Sequence, residues 1–274
     1  MDKENFVSSF ANENMKLENI EKYNTLEEAL NKNDIIVTGI PISKDKKHIV
    51  ANYTNLKIKL DFLQNLKNKI LISGMIPDKY EKILKENKNY VIDLLKNEDY
   101  IIFNAKITVE GIIKYLIENT KTSLFNSKIL VLGYGRIGKI LCNVLKSFTE
   151  NIYCVTYSKE ETEIARANTI NVILEEDLEK FLKNFEIIIN TVPKIILDSK
   201  KLNMLYKEAF VLDVASKPGG IDQDFAQKNK INYMWKLGIP SEISPIECAK
   251  KIQNEIYKNN ITYILQWYYI CIKI

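Results

Sequence analysis

The sequence predicts an α/β protein built from two doubly wound domains with parallel sheets, the N-terminal one incomplete. Three observations predict it. Short β-rich apolar runs alternate with helical patterns along most of the chain, the mark of a parallel sheet covered by helices on both faces. One such run leads into a glycine-rich turn that opens an amphipathic helix. The 274 residues, 46% of them apolar and 27% charged, suffice for two modest domains with buried cores.

The elements follow in order. Thr25-Leu26-Glu27-Glu28 reads as a capping box opening a short helix, because the threonine hydroxyl can take the amide three residues on. Residues 35–39 read as a buried strand, 60–66 as helix, and 70–73 as a strand ending in Gly74. A helix over 78–86 and a weaker strand over 91–94 complete a small α/β domain. Between residues 108 and 119, Ile112, Ile113, Leu116 and Ile117 share one helical face, the expected crossover to the second domain. There, strands are expected at 128–132, 152–156, 186–191, 210–215 and 231–235, with helices at 136–148, 160–168, 175–183, 222–228 and 246–259. The domains are therefore placed at 1–105 and 106–260, followed by an apolar tail, 261–274, that packs back or sits at an interface between subunits. The start is unusual: residues 1–24 are polar, with a short strand at most over 6–10, and no β–α unit opens the first domain.

Composition excludes several classes. Lysine plus arginine number 39 against 35 acids, a net charge of +4 spread without a dense basic stripe, which disfavours nucleic-acid binding. Cys142, Cys154, Cys248 and Cys271 form no Cys-x-x-Cys pair and read as packed, reduced thiols of a cytoplasmic protein. No metal-ligand pattern, charged leader or membrane-length apolar run is present.

The turn Gly133-Tyr134-Gly135-Arg136-Ile137-Gly138 is a G-x-G-x-x-G between strand and helix, the context in which that motif binds a dinucleotide. Gly133 allows the tight turn, Gly135 lets a pyrophosphate approach the backbone, and Gly138 lets helix pack on strand. The second domain is therefore expected to be Rossmann-like. An NAD site usually carries an acid about 20 residues on, at the tip of the next strand. Here that tip reads Tyr157-Ser158-Lys159, where serine and lysine suit a 2′-phosphate, with Arg166 further along. NADP is the expected cofactor, with Glu160 and Glu161 arguing mildly against it. The loops Asn190-Thr191-Val192-Pro193, Ala215-Ser216-Lys217-Pro218-Gly219-Gly220 and Gly238-Ile239-Pro240 leave the carboxyl ends of later strands. Thr191, Val192, Pro193 and Ala215 should line the nicotinamide half of the cleft, while Ser216 and Lys217 can hold a substrate carboxylate.

Taken in order, Thr108-Val109-Glu110-Gly111, the glycine turn, Asn190-Thr191-Val192-Pro193, the block from Leu212 to Gly220, and Leu237-Gly238-Ile239-Pro240 resemble the A subunit of dipicolinate synthase from spore-forming bacteria. The resemblance runs from about Thr25 to about Asn259. It implies a two-domain architecture similar to 2-hydroxyacid dehydrogenases. It also implies NADP-dependent oxidation of dihydrodipicolinate to dipicolinate, partnership with a flavoprotein-like B subunit, and a place in the mother cell of a sporulating bacterium. Thr108 and Glu110 become candidates at the cleft between domains, beside Ser216 and Lys217; a homo-oligomer stays open. The chain departs from the family in three places. The opening glycine-rich β–α unit is missing, Pro245-Ile246-Glu247-Cys248-Ala249 replaces a Pro-Lys-Thr-Ala-Gly run, and Tyr157 stands where the family often has arginine.

Two other readings stay open. A 2-hydroxyacid or amino-acid dehydrogenase would need a proton acceptor near the nicotinamide, and the only histidine, His48, lies in a polar loop and reads as solvated. A shortened chain could also bind nucleotide without turnover, as a scaffold or sensor.

Overall fold

The computed structural model describes residues 25–50 and 58–258. The expectations for residues 1–24, for Cys271 and for the tail 261–274 fall outside the described residues. The described residues divide into two compact units, one formed by those up to Ile101 together with Ala249–Lys258, the other by Ile102–Cys248.

The first unit contains α1 (Leu26–Lys32), β1 (Ile35–Val37), β2 (Ile70–Ser73), α2 (Asp78–Glu86) and β3 (Tyr90–Asp93). Thr25 caps α1, its hydroxyl accepting the Glu28 amide at 3.1 Å, as the capping box requires. The strands pair in parallel in the order β1-β2-β3. Ile36, Leu60, Leu63, Leu71 and Leu84 pack on one face of this sheet, and Ile35, Ile70, Ile72 and Leu94 on the other. His48 is partly exposed and pairs with an exposed acid. Its backbone bridges to Lys59, and Asp45 Oδ2 lies 2.7 Å from its Nδ1. The hydroxyl of Ser43 and the amides of Lys47 and His48 also donate to the Asp45 carboxylate.

A long helix, α3 (Glu98–Asn119), begins in the first unit and ends in the second. It starts ten residues before the expected 108. Its early part carries Ile101, Ile102, Phe103, Ala105 and Ile107 around much of its circumference, so no single apolar face marks it as helix in the sequence.

The second unit holds β4 (Ile129–Leu132), α4 (Arg136–Leu145), β5 (Ile152–Thr156), α5 (Lys159–Ala167), β6 (Asn171–Leu174), α6 (Leu178–Phe181), β7 (Ile187–Asn190), α7 (Ser199–Leu202), β8 (Phe210–Asp213), α8 (Gln223–Lys228), β9 (Tyr233–Trp235), α9 (Ile239–Ile243) and the start of α10 (Pro245–Lys258). Its strands β4 to β9 are all parallel, in the order β6-β5-β4-β7-β8-β9. That order, in which the chain runs outward from β4 in one direction and then in the other, is the dinucleotide-binding arrangement. Strands β4, β7 and β8 are buried at every position, which is why they read as continuous apolar runs. In the later part of α10, within the first unit, Glu255 is buried; it pairs with Lys251 at 3.1 Å and accepts from Asn97 at 2.8 Å.

Candidate functional site

Strand β4 lies between β5 and β7, so the connections leaving β4 and β7 turn to opposite sides of the sheet. A groove of about 430 Å³ opens at that point. Its walls are the turn after β4 with Gly133, Tyr134 and Gly135, the exit of β5 with Tyr157 and Glu161, and residues 191–194 after β7.

The three motif glycines meet three different constraints. Gly133 has φ +99°, and a Cβ there would also come within 2.7 Å of Thr191 Oγ1 and Val192 Cγ2. A Cβ at Gly138 would stand 2.1 Å from the Gly133 carbonyl oxygen, so only glycine allows the helix to approach the turn. A Cβ at Gly135 would meet nothing within 4 Å; it would project into open space. Gly135 also caps α4, whose first intrahelical bond runs from the Lys139 amide to the Gly135 carbonyl. The amides before it are the positive end of the helix. Open space at Gly135 beside a helix N-terminus fits the pyrophosphate of a dinucleotide.

Behind the groove, Asp213 and Asn190 face each other as register partners on β8 and β7, both fully buried. Asp213 accepts from Asn190 Nδ2 at 2.8 Å, from the Ala215 amide at 3.0 Å and from the Gly220 amide at 2.7 Å. Burial pushes the Asp213 carboxyl up, and the three donors pull it back. Asn190 in turn donates to the Val192 carbonyl at 3.0 Å and accepts the Val192 amide at 3.2 Å. Trp235 Nε1 donates to the Ala215 carbonyl at 2.9 Å. The exits of β7, β8 and β9 are thus tied into one piece. The sequence shows Asn190 and Asp213 only as motif letters, because they lie 23 residues apart along the chain.

At the exit of β5, Ser158 caps α5, its hydroxyl accepting the Glu161 amide at 3.1 Å. Glu161 returns the contact, its Oε2 accepting the Tyr157 amide at 2.9 Å. The Tyr157 ring packs on the core beneath β5, and its hydroxyl is buried without a partner among the described residues. Lys159 is exposed and does not line the groove, and Arg166 pairs with Glu163 at 3.1 Å. Among the described residues the lysine on the groove wall is Lys194, which nothing in a short loop sequence singles out.

The remaining expected residues are more dispersed. Arg136 is exposed at the start of α4, and Ile137 packs on the core. Ala215 is buried, held through both its amide and its carbonyl. Ser216 and Lys217 stand exposed on the loop after β8. Thr108 is buried, and its hydroxyl donates to the Asn104 carbonyl of its own helix at 2.8 Å, while Glu110 is exposed. None of these four lines the groove. In the same block, a Cβ on Gly111 would come within 2.2 Å of Ile239 Cγ2, so close packing of α9 on α3 accounts for that glycine.

Comparisons with known proteins agree with this geometry. Residues 4–95 match the N-terminal domain of the dipicolinate synthase A subunit, and residues 110–219 match the D-isomer specific 2-hydroxyacid dehydrogenase NAD binding domain. The A subunit of dipicolinate synthase from Bacillus subtilis (strain 168) is 27% identical over 191 residues, which make up 69% of this chain and span 64% of the relative's length. The crystal structure of the dipicolinate synthase A chain from Bacillus subtilis superposes with a TM-score of 0.70 at 25% identity, covering 84% of this chain and 78% of that one. The Bacillus halodurans counterpart shares the fold, with a TM-score of 0.73 at 20% identity over 84% of this chain and 82% of that one. The chain is thus similar to the dipicolinate synthase A subunit, its residues 4–95 matching that subunit's N-terminal domain and its residues 110–219 matching an NAD-binding domain of the 2-hydroxyacid dehydrogenase type.

Proposed function

We propose that this chain oxidises dihydrodipicolinate, formed from 4-hydroxy-tetrahydrodipicolinate by loss of water, to dipicolinate. The observation that carries the reading is the Gly135 cradle, open where a pyrophosphate would sit, in a chain whose residues 4–95 match a dipicolinate synthase domain. A bound nicotinamide dinucleotide would supply the hydride acceptor. The protein's part is to bind and orient. The turn after β4 and the first amides of α4 would hold the phosphates. Residues 191–194 would wall the nicotinamide half, kept rigid by Asn190 and Asp213. Loss of hydride and a ring proton leaves an aromatic pyridine, so the gain in aromaticity drives the step. Ser216 and Lys217, exposed on their loop, would meet a substrate carboxylate, with Thr108 and Glu110 as more remote candidates.

By the same reading the setting is the mother cell of a sporulating bacterium, where the chain works with a dipicolinate synthase B subunit. The choice between NAD and NADP turns on the exit of β5. The sequence favours NADP through Ser158 and Lys159, and Ser158 keeps a hydroxyl proton to donate. Glu161, however, puts a carboxylate on the same wall.

The test mixes the purified chain with freshly generated substrate and NAD or NADP, with and without the B subunit, and follows reduced nicotinamide and dipicolinate together. Linked production of both supports the reading. Nucleotide binding without turnover, with the partner present, would leave a scaffold or sensor.

A further inference from the structure

The exit of β5 carries a charge opposite to the one a 2′-phosphate needs. In a sheet of this order the adenosine ribose lies against the strand beside the glycine-turn strand. Here that strand is β5, locked to β4 by parallel pairing and by the bond from the Gly133 amide to the Val155 carbonyl at 3.0 Å. The charged group that the exit of β5 presents to the groove, beside Tyr157, is Glu161, half-buried and fixed from both ends. Its amide is held by Ser158 Oγ, and its Oε2 by the Tyr157 amide. Among the described residues no cation pairs with Glu161, and Oε1 has no protein donor. Burial, and after it the charges of Glu175 and Glu161, push the Tyr157 phenol up.

We infer that Glu161 selects NAD over NADP in this chain: its unpaired carboxylate oxygen accepts a ribose hydroxyl and repels a 2′-phosphate. The inference rests on the dinucleotide reading of the groove. Its physical basis is simple. A ribose diol donates two hydrogen bonds and carries no charge. A 2′-phosphate brings between one and two negative charges at neutral pH and offers mainly acceptors. Juxtaposing it with a half-buried carboxylate costs several-fold to many-fold in affinity. Lys159 projects from the exposed start of α5 rather than into the groove, so it does not compensate. Ser158, already an acceptor for the Glu161 amide, suits either nucleotide.

The experiment titrates the full chain with NADH and NADPH separately by nicotinamide fluorescence, alongside Glu161→Gln, Lys159→Ala and Gly135→Val. Glutamine keeps the size of Glu161 and an acceptor for the Tyr157 amide while removing the charge. The expected result is NADH bound at least about tenfold more tightly than NADPH. In Glu161→Gln, NADPH gains and the ratio falls toward one, with circular dichroism unchanged; Lys159→Ala leaves the ratio where it was. NADPH bound as tightly as NADH by the unmodified chain would overturn the inference, and so would an unchanged ratio in Glu161→Gln. If either result came with binding abolished in Gly135→Val, the dinucleotide site itself would stand. Binding of neither nucleotide to the unmodified chain would overturn both.

Discussion

Asn190 Nδ2 donates to Asp213 Oδ1 at 2.8 Å between the last residues of two adjacent buried strands. This one contact joins the two loops that flank the far half of the groove. It also explains why Gly220 must lack a side chain, since a Cβ there would stand 2.1 Å from Asn190 Nδ2.

Asp213→Asn should destabilise the second unit by about 1–3 kcal/mol, because an amide offers one acceptor oxygen where three donors converge and turns its own NH₂ toward one of them. Urea unfolding of the variant against the unmodified chain measures it. An unchanged midpoint would show that the loops do not depend on the carboxylate.

Gly135→Val and Gly138→Ala should fail in different ways. The valine projects into open space, so the chain should keep its melting temperature and lose nucleotide binding. The alanine meets the Gly133 carbonyl at 2.1 Å and should cost about 1–3 kcal/mol of stability. Thermal melts paired with NADH titration separate the two. A folded Gly135→Val that binds as before would remove the phosphate assignment.

Lys217→Ala should leave stability and nucleotide affinity untouched, because the side chain is exposed and lies off the groove. If it meets a substrate carboxylate, KM should rise about ten- to a hundredfold, the worth of one charge-assisted hydrogen bond. Steady-state kinetics with the dihydropyridine substrate decide it, and an unchanged KM would strike Lys217 from the site.

Cys142 and Cys154 are buried in the second unit, and burial pushes the Cys154 thiol up to about 12. At pH 8 only about one molecule in ten thousand carries that thiolate. Both cysteines should resist iodoacetamide in the native chain and react after denaturation, as read by mass spectrometry of the separate peptides. Rapid native labelling of Cys154 would mean that the core around β5 opens readily.

Local signals were legible in the sequence, because their partners lie within a few residues. The Thr25 cap, the G-x-G-x-x-G turn and the strands β4, β7 and β8 are of this kind, since a buried strand needs an unbroken apolar run and a helix cap needs one oxygen at the right spacing. Strand β6 went unread. It lies at the sheet edge with Ile173 its one buried residue, so it needs no unbroken apolar run. The front of α3 escaped for the opposite reason, being apolar on too many sides to show a period.

What the tertiary structure alone decided is which polar groups meet. Sequence spacing cannot bring Asn190 to Asp213, because sheet register sets that distance. It cannot say that the Glu161 carboxylate folds back onto the Tyr157 amide at the groove wall, because that follows from the cap that closes α5 against the end of β5. The sequence determined that a nucleotide-type turn exists here and where its glycines fall. Packing decided which charge stands beside it, since a side chain's direction depends on neighbours from strands and helices that are distant along the chain.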